Sequence, residues 1–164
     1  MKLFYFLSLI ILLSACSGTQ NNEMKKDTKN EIKMKQKVTK SEGEWEEVLT
    51  PQQFHILRKK GTDLPGTGAY TYHFEEGMYK CAGCGAELFK SGTKYESHCG
   101  WPSFDDAIEG AIIQQPDYSN NRIRTEIICA NCGGHLGHIF DDGPKETTGK
   151  RYCVNSTSIQ FIKK

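Results

Sequence analysis

Apolar positions are unevenly spread along this 164-residue chain. They crowd between Leu3 and Leu13, where only Ser8 interrupts them and Lys2 precedes them, and then become scarce until Trp45. The first run is too short to cross a bilayer as a helix, which takes about 20 residues, and has the form of a signal-peptide core. Lys, Glu, Asn, Thr and Gln dominate from Ser17 to about Glu44, and so little apolar surface cannot offset the entropy of ordering. This predicts a flexible tether, with a solvated amphipathic helix over residues 30–38 as the alternative. The folded domain is expected over residues 45–164, because a chain of this length ordinarily holds one core.

Within that domain one helix is well marked. Thr50-Pro51-Gln52-Gln53 supplies an N-cap, a proline at the first helical position and a capping-box glutamine, and Gly61 follows a basic last turn as a stop. Phe54 and Leu57 are expected to face the core. Beyond Gly61, glycines and prolines cut the chain into short segments that read as strands: 69–74, 112–115, 122–128, 138–140, 151–155 and 158–162. Over 122–128, Arg122, Arg124 and Glu126 alternate with Ile123, Thr125 and Ile127, the period of a sheet with one face in water. No fixed-period repeat is visible apart from two paired cysteine motifs.

Seven cysteines change the picture. Cys16 ends the run Leu13-Ser14-Ala15-Cys16, small residues before a cysteine that resemble the lipobox of bacterial lipoproteins. On that reading residues 1–15 are a signal peptide, Cys16 is lipidated, and residues 16–44 tether an exported, membrane-anchored domain in the cell envelope, on a periplasm-facing or outer surface. Cys81-Ala82-Gly83-Cys84-Gly85 and Cys129-Ala130-Asn131-Cys132-Gly133 are two C-x-x-C-G knuckles. Four thiolates so spaced can close a tetrahedral zinc site, which is structural because no position stays open for a substrate. Three disulfides among the six remaining cysteines are the alternative in an exported domain.

Cys99 and Cys153 are left over. If Arg151-Tyr152-Cys153-Val154-Asn155 is extended, Arg151 and Asn155 share a face with Cys153; a neighbouring cation favours the thiolate, the form that attacks. Simple packing of Cys153 is the competing reading. Gly134-His135-Leu136-Gly137-His138 concentrates two of the five histidines after the second knuckle, as catalytic imidazoles, additional metal ligands or surface groups. Gly100-Trp101-Pro102-Ser103-Phe104 sets an aromatic wall beside Cys99, fit for core packing or for an apolar methyl group. Lys and Arg number 21 against 20 Asp and Glu, so nothing in the charge points to nucleic acid.

Taken in order, Thr67-Gly68-Ala69-Tyr70, the first knuckle, Leu88-Phe89-Lys90-Ser91, Lys94-Tyr95-Glu96-Ser97, Cys99 to Phe104, the second knuckle, Gly134 to His138, Asp142-Gly143-Pro144 and Arg151 to Ser156 resemble the B-type methionine sulfoxide reductases. The resemblance covers about residues 45–161. It implies a mainly β, β-tent-like fold of two antiparallel sheets with a short N-terminal helix and a four-thiolate zinc site. It also implies reduction of methionine R-sulfoxide, free or in proteins; apart from the resemblance, the chain is expected to be a monomer.

By the same resemblance Cys153 is the nucleophile, which becomes a sulfenic acid, and Cys99 resolves it as a Cys99–Cys153 disulfide. Cys81, Cys84, Cys129 and Cys132 hold one structural zinc ion. His135, His138 and Asn155 line the sulfoxide site, with His135 or His138 as the acid. Trp101 receives the substrate methyl, and Asp142 and Arg151 support the site. Thioredoxin, or outside the cytoplasm a membrane-tethered thioredoxin-like protein, is the expected reductant. A non-enzymatic zinc-ribbon module on a lipid anchor and a zinc-dependent hydrolase are the rival readings.

Overall fold

The computed structural model describes residues 38–164. The expected signal peptide, the expected lipidation at Cys16 and the expected tether as far as residue 37 lie outside the described residues. Helical structure is present already before the expected boundary at residue 45. Helix α1 spans Glu42–Val48, and Ser41 caps it in a capping box with Glu44. Two orphan amides are thereby satisfied in a helix too short to persist by propensity. Burial of Trp45, at 2% exposure, supplies the rest, and the Val38 amide donates to the Asn131 carbonyl, tying this segment to the second knuckle.

Helix α2 spans Pro51–Lys59 with the expected Thr50–Gln53 capping box. Its stop differs from expectation: Lys60 takes the left-handed conformation, at φ 57°, and Gly61 follows it. A Cβ at Gly61 would lie 2.3 Å from the ring of His55, an exposed side chain that can turn aside, so close approach favours glycine there without requiring it. Leu57 enters the core together with Ile56, and Phe54 packs partly against it.

All strand pairings are antiparallel, in two sheets. The smaller sheet has the order β2-β1-β9, from Glu87–Lys90, Gly77–Cys81 and Ile159–Lys163. The larger has the order β3-β4-β8-β7-β6-β5, from Lys94–Tyr95, Ser103–Phe104, Arg151–Val154, His135–Phe140, Arg124–Cys129 and Ile112–Asp117. Tyr79, Phe89 and Phe104 form the aromatic centre of the core, with Phe89 and Phe104 stacked at 4.3 Å.

Two strand expectations fail. Over 69–74, residues 69–72 form turns and 73–74 are irregular, with no strand. Their hydrogen bonds leave the ladder pattern: Thr71 donates to Gly68, and the Tyr70 amide to the Ser156 hydroxyl. The segment 122–128 has no simple wet face either. Ile123 lies before β6 and is 86% exposed, whereas Glu126, on the nominally wet face, is 2% exposed because protein donors replace its water.

Candidate active site

The site is assembled from one row of residues across the larger sheet. Glu126 on β6 opposes His138 on β7, His138 opposes Cys153 on β8, and Cys153 opposes Ser103 on β4. Directly opposed residues of antiparallel strands share a face, so a carboxylate, an imidazole, a thiol and a hydroxyl stand side by side.

His135 joins them through a β-bulge. Three residues separate it from His138, and in a regular strand that odd spacing would send the two rings to opposite faces. The register instead pairs Ile127 with Gly137 and Ile128 with His135, skipping Leu136. A bulge of this kind re-aims a side chain, and the two imidazoles meet edge-on at 5.6 Å. Gly137 makes this possible: a Cβ there would lie 2.0 Å from the Cys153 carbonyl oxygen.

A cleft of about 510 Å³ opens on this face, lined by Trp101, Ile123, His138, Phe140, Cys153 and Asn155 among others. Cys153 lines it and Cys99 does not. The two sulfurs are 3.6 Å apart, with Cys99 also receiving a hydrogen bond from the Ser97 hydroxyl at 3.0 Å and lying 3.4 Å from that of Ser103. At that distance either sulfur can donate a hydrogen bond to the other. Cys99 is held below the ordinary thiol range, first by its bond with Cys153 and then by Ser103 and Ser97. Cys153 is pushed up by the same bond and by burial, while Arg151 acts in the opposite sense.

The histidines have different surroundings. His138 reaches the cleft and gives its Nε2 to Asp117 Oδ2 at 2.7 Å; burial draws its pKa down and this contact opposes the shift. His135 is 3% exposed and lies behind the lining, with its Nδ1 on Glu126 Oε1 at 2.7 Å. Glu126 also accepts from Lys60 at 2.6 Å and Gln115 at 2.7 Å. Burial acts to raise its pKa, but the donations from His135, Lys60 and Gln115 outweigh it and hold the carboxyl at about 2.

Asn155 contributes its amide to the scaffold. Its Oδ1 accepts from the Asp63 amide at 2.9 Å and its Nδ2 donates to the Leu136 carbonyl at 3.2 Å. Trp101 Nε1 donates to the Asp63 carbonyl at 2.9 Å, which fixes the indole against the cleft. Arg151 grips exposed Asp142 through two bonds of 2.8 and 2.9 Å, and its guanidinium lies 4.3 Å from the Phe140 ring centre. Asp63, Asp117 and Glu126 were not singled out by sequence reasoning. Only the position of Glu126 in a period-two segment beside the histidines offered a signal.

The four knuckle cysteines form a separate cluster. Cys81 ends β1 and Cys129 ends β6, and each is followed by a turn that closes on a left-handed glycine, Gly85 and Gly133, both at φ 73°. Each glycine amide donates back to the first cysteine's carbonyl at 2.8 Å. All four sulfurs lie within 4.8 Å of one another and can hold one metal ion. The three-disulfide alternative is not realised, since all six cysteines of the described residues are free.

Comparison with known proteins agrees with this geometry. The SelR domain model matches residues 49–163. A peptide methionine sulfoxide reductase MsrB of Methanosarcina mazei is 52% identical over 128 residues, covering 77% of this chain and 91% of its own length. One from Leptospira interrogans is 52% identical over 131 residues, 79% of this chain and 99% of its own. The chloroplastic peptide methionine sulfoxide reductase B3 of Oryza sativa is 56% identical over 126 residues, and the aligned part of this chain spans about half of that longer relative, 54%. Matched by the family model over most of its described residues and by near-full-length relatives at this identity, the chain belongs to the SelR family, that of the MsrB-type reductases.

Proposed function

We propose that this oxidoreductase reduces methionine R-sulfoxide, free or in polypeptides, to methionine. The observation that carries the reading is that Cys153, and not Cys99, faces the cleft while its sulfur stays 3.6 Å from that of Cys99. A nucleophile must meet substrate, and its resolving partner must be within reach once substrate has left.

In the first step Cys153 attacks the sulfoxide sulfur as a thiolate. Cys99, 3.6 Å away and held below the ordinary thiol range, can take up its proton, which exposes the Cys153 thiolate without changing the charge of the pair, and Arg151 favours the negative form. The S–O bond must break with protonation of oxygen, and His138 is the histidine that lines the cleft. Trp101 and Phe140 offer apolar surface to the methyl and side-chain carbons. Methionine leaves, and Cys153 carries the oxygen as a sulfenic acid.

Attack by Cys99 on the Cys153 sulfur then releases water and forms the disulfide. The sulfurs need close by only about 1.6 Å to reach a bond of about 2.0 Å, a rotamer-scale movement. A thioredoxin-like dithiol resets the pair by exchange, taking the disulfide itself.

The thiolate cluster suits zinc. Tetrahedral Zn–S bonds of about 2.3 Å place neighbouring sulfurs about 3.8 Å apart, and Cys81–Cys132 and Cys84–Cys129 are each 3.7 Å apart. Cys81, Cys84, Cys129 and Cys132 would hold the ion and clamp the two sheets together at the ends of β1 and β6. The lipobox-like run at Cys16 supports an exported, lipid-anchored form; Cys16→Ala should leave the protein unlabelled by radioactive palmitate in growing cells, and undiminished labelling would refute the anchor.

The decisive assay supplies the separated R and S sulfoxides of an N-acetylated methionine amide with dithiothreitol. Consumption of R alone by the full chain, abolished in Cys153→Ser, is expected. Reduction of S, or retained activity in Cys153→Ser, would overturn the reading.

A further inference from the structure

Two carboxylate contacts support the histidines, one buried and one part-buried, and they differ in what they leave available. Glu126 is saturated by Lys60, Gln115 and His135 behind the cleft wall. Asp117, the last residue of β5, reaches past β6 to a histidine that lines the cleft. Its Oδ2 meets His138 Nε2 and Arg124 Nη2, each at 2.7 Å, and its Oδ1 accepts from the Ser119 amide at 2.9 Å. The Ser119 contact pins one carboxylate oxygen and aims the other at the imidazole. With Nε2 engaged, Nδ1 has no hydrogen-bond partner among the described residues and is left to the cleft.

We propose that Asp117 is the positioning residue for His138: it keeps a proton on Nε2, so that the ring's second proton is carried on Nδ1 toward the sulfoxide oxygen, and it stabilises the imidazolium that carries it. This rests on the assignment of His138 as the acid. A neutral imidazole has one donor and one acceptor nitrogen, and a carboxylate on Nε2 selects which is which. Without it, a ring in this setting resists protonation. Burial removes water, Arg124 on β6 repels positive charge, and Arg122 lines the same cleft. His135 stands 5.6 Å away on β7. Across the strands, Glu126 is committed to its own three donors, and Cys153 on β8 has its sulfur 3.6 Å from that of Cys99. Asp117 is the carboxylate in direct contact with the His138 ring.

The test uses the full chain with Asp117→Asn, Asp117→Glu and His138→Asn. Single-turnover methionine formation from the R-sulfoxide amide is followed across neutral pH, and the His138 ring nitrogens are titrated by NMR. An asparagine can still accept from Nε2 but brings no charge. In Asp117→Asn the imidazolium pKa should therefore fall by about one unit. The alkaline limb of the rate profile should move down by the same interval, a loss of about tenfold beyond it. Asp117→Glu should restore both. An unshifted His138 titration in Asp117→Asn, or a uniform rate loss at every pH, would show that Asp117 serves the fold only. If His138→Asn keeps the wild-type rate and limb, the acid assignment fails and the proposal fails with it. If His138→Asn is inactive while Asp117→Asn matches wild type, the proposal alone fails.

Discussion

Glu126 gives a direct test of how the carboxylate behind the cleft contributes to stability. In the folded protein three donors hold its carboxyl at about 2, against 4.5 for the free side chain. A depressed carboxylate pKa stabilises the fold above the unfolded value, and that contribution disappears as pH falls from 4.5 through about 2. The shift corresponds to about 3 kcal/mol at roughly 1.4 kcal/mol per unit. Glu126→Gln, which cannot satisfy Lys60, Gln115 and His135 together, should cost about this much at neutral pH. In a domain of this size that is on the order of 10 °C in Tm. Urea unfolding of wild type and variant over a pH series measures it. Acid release of a metal affects both proteins and cancels in the difference, which should shrink towards zero as pH falls through the carboxylate range. A difference that stays constant from neutral pH to below 3 would refute the argument.

The remaining predictions concern the thiols and the bulge. Cys99→Ser should complete one turnover with substrate yet lose recycling by a thioredoxin-type reductant; undiminished recycling would require another resolving thiol. Cys81→Ala should remove one ligand of four and with it much of a metal contribution on the order of 10 kcal/mol, so metal content by mass spectrometry and the unfolding midpoint should fall together. A variant that keeps one metal per chain would exclude Cys81 as a ligand. Gly137→Ala would drive a Cβ to 2.0 Å from the Cys153 carbonyl. It should separate β7 from β8 and reduce activity at least tenfold along with stability; wild-type turnover in this variant would show that the bulge does not set the site.

What could be read along the chain was governed by neighbours in sequence. The α2 cap, the two knuckles and the strands containing Arg124, Arg151 and Ile159 follow from turn chemistry and periodicity acting over a few residues. Helix α1 was missed because Trp45 holds it by tertiary burial, in a segment whose polar composition argues for a tether. Residues 69–74 read as a strand because their aromatics suit one; Ser156, distant in sequence, holds them as turns.

Residue types and their spacing supply the kinds of group available, namely four thiols with metal-ligand spacing, two further cysteines, paired histidines and an aromatic wall. Tertiary structure decided how they are used. Cys99 and Cys153, 54 residues apart, meet only because β4 pairs with β8. His135 and His138 share a face only because the register slips at Gly137. Glu126 is buried and Asp117 touches an imidazole because β5, β6 and β7 lie side by side. Strand parity and cross-strand contact depend on register between distant segments, a property that no local pattern of residues contains.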